Sequence, residues 1–352
     1  MRAPTTRRAR AGFSPQNAGS LTLVIILLGS TDPNIQPIPP ELQVDIVTIS
    51  KEQLASNSVG AIACEALEAG KIVTLPDHSL FDKQADIDFL LGLQNNASAL
   101  HKNVAYKPAA HKVTGATTKT PQEAEQLLQV MSDFSKRALS LLARVCPPYA
   151  GKWKTDYASF RPFEEQGRDL PLKQRNDLMH VDAFPSRPTR GGGILRLFTQ
   201  INPSKDRVWR VSGPFDALAD KYALQAGLKE VKGGSAAMKR AAAKLGRAIG
   251  INVPDRTAYD QFMLGFHDFL KGNEEFQRAP QARQMSFRPN QVWMCYTDVL
   301  AHSVLSGQYA LEQTVIVPPE AKVKPDISPV SVLERLAGFP LTPARGRLLQ
   351  SA

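Results

Sequence analysis

From Tyr157 to Val317 the chain repeats one local pattern about seven times: a short run rich in β-branched and aromatic residues, closed by Gly, Pro, Asn or Asp. The runs are 157–163, the segment around His180-Val181-Asp182, 194–203, 207–211, 291–296, 302–306 and 309–317. Strands this short cannot bury themselves singly, and their even spacing suits two facing antiparallel sheets. Residues 214–285 break the pattern with helical spacing. The expected fold class is α+β: a double-stranded β-helix (jelly roll) core buttressed by helices, with a helical insertion between strands.

The rest of the chain is divided accordingly. Residues 1–43 form an Arg- and Pro-rich N-terminal extension. Its arginines (Arg2, Arg7, Arg8, Arg10) precede the apolar run Leu21–Leu28, the order of regions found in a signal peptide. That run is short and no A-x-A site follows, so a buried strand or an over-extended start fits as well. Residues 44–150 read as a mainly helical buttress. Strand-like segments at 44–49 and 71–76 flank helical spacing at 51–69, and 80–93 is amphipathic. Thr120-Pro121, a cap followed by proline at the first helical position, opens a long helix that Cys146-Pro147-Pro148 closes. Residues 151–320 are the expected catalytic core, and 321–352 a C-terminal helix near 329–337 with a polar tail.

Composition narrows the partners. With 43 Lys+Arg against 33 Asp+Glu, the chain carries a formal charge of +10, which favours polyanions without choosing among them. The three cysteines, Cys64, Cys146 and Cys295, are far apart and odd in number, so neither a disulfide framework nor a cysteine zinc site is expected. A reducing cytoplasm fits best. No apolar run is long enough to span a bilayer.

His180-Val181-Asp182 carries the chemical signal. On a strand, residues two apart share a face, so the imidazole and carboxylate converge at a strand end. With one distant histidine they make the 2-His-1-carboxylate triad that holds Fe(II) and leaves positions open. Of the six histidines, His78, His101 and His111 lie in polar, loop-like surroundings, and His267 reads as an ordinary helix histidine beside Phe266 and Leu270. His302 opens a strand after the polar turn Thr297-Asp298 and is the candidate third ligand. Such a site commonly takes 2-oxoglutarate, whose far carboxylate needs a buried cation. No Lys or Arg occurs between His302 and Lys322. Arg196, set among Ile194, Leu195, Leu197 and Phe198, is the candidate anchor, or else an ordinary salt bridge to a core acid. Thr199 and Asn202 are candidates for further hydrogen bonds to the co-substrate.

Two blocks of sequence carry a family resemblance. The first runs from His180-Val-Asp-Ala-Phe-Pro-Ser-Arg-Pro-Thr189 through Ile194-Leu-Arg-Leu-Phe-Thr199 and Asn202-Pro203 to Arg207-Val-Trp-Arg210. The second comprises Arg288-Pro-Asn-Gln-Val-Trp293, Tyr296-Thr-Asp-Val and His302-Ser-Val-Leu-Ser-Gly-Gln-Tyr-Ala-Leu-Glu-Gln-Thr314. Over roughly residues 45–320 the chain resembles the Kdo hydroxylase family. The resemblance implies an Fe(II)- and 2-oxoglutarate-dependent dioxygenase, with O2 as the second co-substrate, succinate and CO2 as by-products, and His180, Asp182 and His302 on the metal. It implies hydroxylation of carbon 3 of Kdo, the sugar acid joining lipid A to the lipopolysaccharide core, to give Ko. The expected partner is therefore a Kdo-lipid A type glycolipid, met by a cytoplasmic protein at the inner face of the inner membrane. Arg187, Arg190, Arg207 and Arg210 flank the expected mouth and, with Tyr157 and Arg161, are candidates for holding that substrate. Each arginine alone also reads as a solvated surface charge.

The small basic helix expected at 236–249, with Lys239, Arg240, Lys244 and Arg247, suits anionic headgroups or plain solvation. Three other readings stay open on the residues: an oxygenase of another anionic substrate, a jelly roll with a decayed or zinc-filled site, and a nucleic-acid binder. The last has charge in its favour but lacks a recognition-helix pattern or interleaved aromatic and basic strands, so no nucleic acid is expected.

Overall fold

A computed structural model describes residues 45–55, 59–93, 103–232, 254–278 and 282–343. The expected N-terminal extension, the basic helix at 236–249 and His101 lie outside the described residues.

The architecture turns on the strand that follows the His-x-Asp segment. Gly193–Gln200 is buried at every position, as a central strand covered on both faces must be. Counting in chain order, the strands are β1 (Ile46–Thr48), β2 (Ile72–Leu75), β3 (Val104–Lys107), β4 (Lys112–Thr114), β5 (Lys154–Arg161) and β6 (Gly193–Gln200), then β7 (Arg207–Val211), β8 (Arg283–Phe287), β9 (Val292–Tyr296), β10 (His302–Ser306) and β11 (Ala310–Val317). They form an eight-stranded sheet, ordered β1-β2-β9-β6-β11-β5-β3-β4, and a three-stranded sheet, β10-β7-β8. Pairing is antiparallel except between β1 and β2.

Alternation along β6 builds two cores from one strand. Leu195 and Leu197 enter the core shared with helices α2 (Val59–Glu68) and α4 (Pro121–Val145). Phe198 enters a second core with Trp209 of β7, Phe287 of β8 and Trp293 of β9, which joins the sheets. Phe287 stacks on Trp293 at 4.0 Å, and Phe198 stacks on the same ring at 5.4 Å. This jelly-roll-like pair of sheets, backed by helices, is the expected fold class. Helix α4 starts as expected: Thr120 accepts from the backbone N–H of Glu123, Pro121 is first in the helix, and Leu127, Met131, Phe134 and Leu142 are buried.

The remaining helices are α1 (Lys51–Leu54), α3 (Gln84–Gly92), α5 (Phe215–Tyr222), α6 (Ala258–Gly272), α7 (Glu274–Gln277) and α8 (Pro329–Ala337). Helices α5 to α7 fall between β7 and β8. Three local expectations are corrected. β3 and β4, inside the stretch read as a mainly helical buttress, are paired strands too short to show a period. β8 begins inside the stretch read as helical, because Arg283, Met285 and Phe287 alternate with exposed polar residues. The His-x-Asp segment is not a strand of either sheet but makes one isolated bridge to His302. Among the described residues no helix is long and apolar enough to cross a membrane.

Candidate active site

His180 and His302 meet through their backbones. The His180 N–H donates to the His302 carbonyl at 3.0 Å, and the His302 N–H returns the bond to the His180 carbonyl at 2.9 Å. Two residues on, the Asp182 N–H donates to the Thr297 carbonyl at 2.8 Å. This pairing puts the two imidazole centroids 4.9 Å apart. Each ring is oriented by a carbonyl two residues upstream: Nδ1 of His180 lies 2.7 Å from the Leu178 carbonyl, and Nδ1 of His302 3.0 Å from that of Leu300. A carbonyl only accepts, so both Nδ1 atoms carry the hydrogen and both Nε2 lone pairs are left for a ligand. Burial drives the His180 pKa down to about 3 and lowers that of His302. Against the burial that raises it, the Arg196 guanidinium and His180 hold the Asp182 carboxyl well below the usual carboxylate range. Two neutral imidazoles and a carboxylate are the donor set that ferrous iron takes on one face. Trp209 stacks on His302 at 5.2 Å and fixes that ring from behind.

These groups open on a cavity of about 420 Å³, solvent at its mouth included, whose apolar wall includes Phe198, Trp209, Val304 and Leu311. Three arginines reach it, Arg161, Arg196 and Arg207. Arg161 spans both oxygens of Glu312 at 3.0 Å. Nη1 of Arg196 lies 3.2 Å from Oδ2 of Asp182 and 3.4 Å from Oε2 of Glu312. The first contact is an ion pair without hydrogen-bond alignment, since Oδ2 of Asp182 has no hydrogen-bond partner. Arg207 is different. It is 2 % exposed, its Nη1 donates to the Gly307 carbonyl at 2.9 Å, and its Nε, like those of Arg161 and Arg196, has no partner. Among the described residues it forms no ion pair. Burial, reinforced by the positive charge of Arg161, pulls its pKa down to about 10, so it stays charged at neutral pH. Gly307 permits this packing: with φ at +114°, an added Cβ would sit 2.9 Å from Cα of Arg207.

The other candidates divide sharply. Arg196 has the acidic partners that the salt-bridge reading required. Thr199 points to the opposite face of β6 and donates to the Gln291 carbonyl at 3.1 Å. Asn202 caps a turn, accepting from Ser204 at 3.1 Å and Lys205 at 2.9 Å. Neither reaches the cavity, which corrects their expected role at the co-substrate. Arg207 and Arg210 were expected to share the mouth, but an odd spacing on one strand sends them to opposite faces. Arg210 instead donates to the Gln277 carbonyl at 2.7 Å. Arg190 pairs with Asp255 at 3.4 Å, away from the cavity. Arg187 does not line the cavity but adjoins it: its guanidinium lies 4.2 Å from the Tyr157 ring centroid and 4.5 Å from that of Phe184, with Nε 2.9 Å from Asp156, and the same Phe184 ring lies 5.4 Å from the guanidinium of Arg196.

His267 was passed over in the sequence. Its ring lies edge-on to His180 at 4.7 Å, and one ligand atom each of His180, Asp182 and His267 falls within 4.8 Å of the others. His302, not His267, stands on the wall shared with the three arginines. Glu312 and Phe184 were missed too. The only sequence signal for Glu312 was a lone acid in an apolar strand, the mirror of Arg196.

None of the curated proteins compared matches this chain. Solved structures do. The cobalt(II) complex of the Kdo hydroxylase KdoO, a non-heme Fe(II) α-ketoglutarate-dependent dioxygenase, superposes with a TM-score of 0.76 at 28% identity, covering 86% of this chain and 98% of that one. Its complex with α-ketoglutarate and Fe(III) gives 0.75 at 28% identity, over 85% and 98%. Its apo structure gives 0.75 at 29% identity, over the same shares. The family model of 3-deoxy-D-manno-oct-2-ulosonic acid (Kdo) hydroxylase matches residues 50–340, so the chain belongs to the Kdo hydroxylase family.

Proposed function

We propose that this protein is an Fe(II)/2-oxoglutarate-dependent dioxygenase that hydroxylates carbon 3 of Kdo in a Kdo-lipid A type glycolipid. The observation that carries this reading is a single cavity holding two imidazoles with free Nε2 atoms, a carboxylate, and a buried arginine with no acid of its own. His180, Asp182 and His302 hold the iron. When bound with 2-oxoglutarate, iron supplies the activation of O2 that couples decarboxylation to C–H hydroxylation.

The chain's own residues do the rest. Leu178 and Leu300 carbonyls keep both imidazoles in the ligating tautomer. Arg196 keeps Asp182 ionised. Arg207 receives the far carboxylate of 2-oxoglutarate, taking the role expected of Arg196, and Arg161 with Glu312 forms the adjoining wall. Phe198, Trp209, Val304 and Leu311 keep water from the reacting centre. Beside the cavity, Arg187 faces the sugar carboxylate, held by Asp156 and the Tyr157 and Phe184 rings. The +10 charge suits a substrate rich in phosphates and carboxylates, and contact with the anionic inner face of the membrane follows from such a substrate.

The test is succinate release from 2-oxoglutarate with Fe(II) and ascorbate, with and without Kdo-lipid A, for wild type and His180→Ala. Acceptor-stimulated turnover lost in the variant supports the reading. Turnover that the acceptor leaves unchanged favours another anionic substrate.

A further inference from the structure

The metal-bearing segment 178–182 belongs to no sheet, yet from Met179 on it runs beside His302, bridged to it at His180. In an extended chain alternate residues offer their N–H and C=O to opposite edges. On the inner edge, His180 pairs with His302 and Asp182 with Thr297. The outer edge should then be a row of unpaired groups at Met179 and Val181, both fully buried. Among the described residues no strand covers it. Side chains of the helical insertion do.

Gln277, at the end of α7, meets Met179 with both ends of its amide. Its Oε1 accepts the Met179 N–H at 2.9 Å, and its Nε2 donates to the Met179 carbonyl at 2.8 Å, reproducing the two-bond exchange of a paired strand residue. The same Nε2 lies 2.8 Å from the Leu270 carbonyl, which ties the amide to α6. Nδ1 of His267, on α6, lies 2.8 Å from the Val181 carbonyl and donates to it. Further along, Oδ1 of Asp260 accepts the N–H groups of Thr189 and Arg190, each at 2.9 Å. The bridge to Met179 and the bond to Val181 bracket His180 and stop one residue short of Asp182.

We propose that helices α6 and α7 act as a surrogate strand for the metal-ligand segment, with Gln277 and His267 as positioning residues that set where His180 and Asp182 point. His267 thus lies within ligand distance of the metal groups because it holds the peptide between them, and its ring is not needed as a ligand. The insertion couples the cofactor site to a part of the fold that the sheets alone do not require. This rests on the metal assignment above, and wild-type metal binding tests that assignment separately.

The experiment is titration of the full chain with Co(II), followed by the visible absorption of the bound ion, for wild type, Gln277→Met, His267→Leu and His267→Asn. The asparagine places an N–H near Nδ1 and lacks the second ring nitrogen. Gln277→Met and His267→Leu are expected to weaken Co(II) binding about 10–100-fold and alter the spectrum, as loss of outer support for metal ligands does. His267→Asn is expected to stay within about threefold of wild type. Unchanged affinity in the methionine and leucine variants overturns the clamp, and equal loss in both His267 variants makes that ring a ligand instead. Wild type that binds no Co(II) overturns the metal assignment rather than the clamp. If a variant does not fold, hydrogen exchange of the wild-type protein decides. Co(II) should raise protection in 258–278 together with 178–182, and protection confined to 178–182 refutes the coupling.

Discussion

Arg207 gives the sharpest prediction because two effects of one substitution have opposite signs. In the protein without ligands its guanidinium is buried, bonded to one carbonyl and without an ion pair among the described residues, its charge offset only in part by Glu165, Glu312 and Glu164. Such a group costs stability until an anion arrives. Arg207→Met removes that cost while filling similar space, so the ligand-free protein should melt no lower than wild type. The co-substrate loses a two-pronged, charge-assisted contact worth roughly 3 kcal/mol, at about 1.5 kcal/mol or more per hydrogen bond to a charged group. At about 1.4 kcal/mol per decade, that is about a hundredfold rise in the 2-oxoglutarate KM. Saturating 2-oxoglutarate at about 100 Kd should stabilise wild type by about 2.7 kcal/mol, and the variant at the same concentration by little. The assays are succinate release against 2-oxoglutarate concentration and thermal melts with Co(II), with and without 2-oxoglutarate. Arg196→Met is the control, expected to weaken metal binding first because it strips Asp182 and Glu312 of their shared cation. A 2-oxoglutarate KM unchanged by Arg207→Met but raised by Arg196→Met refutes the assignment.

Four further outcomes follow. Burial holds His180 near pKa 3 against 6.5 in an unfolded chain, so between those values the unfolded state binds more protons and stability rises with pH. Urea midpoints of the metal-free protein should fall as pH drops from 6.5 towards 3, by about 1.4 kcal/mol per pH unit for this imidazole, and a flat profile contradicts it. Arg187→Ala should raise the KM for a Kdo-bearing acceptor about tenfold while leaving acceptor-independent succinate release unchanged, one charged contact being worth about 1.5 kcal/mol; equal loss of both would move Arg187 into the co-substrate site. Gly193→Ala should destabilise by about 1–3 kcal/mol in urea, because its Cβ would lie 2.7 Å from the Tyr296 ring and 2.9 Å from Nζ of Lys322. Finally, 2-oxoglutarate should bind at least tenfold tighter with Co(II) present than absent, read by calorimetry; equal affinities would argue against a shared cavity.

The sequence carried the architecture where periodicity was long enough to read. β6, β7, β9, β10, β11 and α4 lie within a residue or two of their expected places, except that β6 ends three residues early. Where the signal is set by tertiary partners, it failed. The His-x-Asp segment reads as a strand because its residues are extended, but its outer edge is paired by Gln277 and His267, which no local pattern announces. His302 was found because it opens a strand beside a polar turn. His267 was set aside because a histidine among phenylalanines on an amphipathic helix looks like packing, and its functional neighbour is 86 residues away. Arg207 was legible in principle: Arg207, Trp209 and Val211 alternate with Val208 and Arg210, and period two puts an arginine on the buried face of the strand. Its neighbour Arg210 drew both residues to the mouth, although they cannot share a face.

Charge then explains why both Arg196 and Arg207 belong in one cavity. Its charged lining is Arg161, Arg196 and Arg207 against Asp182 and Glu312, one positive charge in excess before any ligand binds. A divalent cation on Asp182 adds two positive charges beside Arg196, which already lies 3.2 Å from that carboxylate. Among side chains this buried such an excess is costly, and surface counterions screen it weakly. On the proposed assignment a dicarboxylate, with one end at the metal and the other at Arg207, offsets two of these charges, a monoanion one and a neutral ligand none. The buried positive excess therefore favours a dianionic co-substrate, and Arg207, the one cation of the set with no acid within ion-pair distance among the described residues, is the proposed seat of its far end.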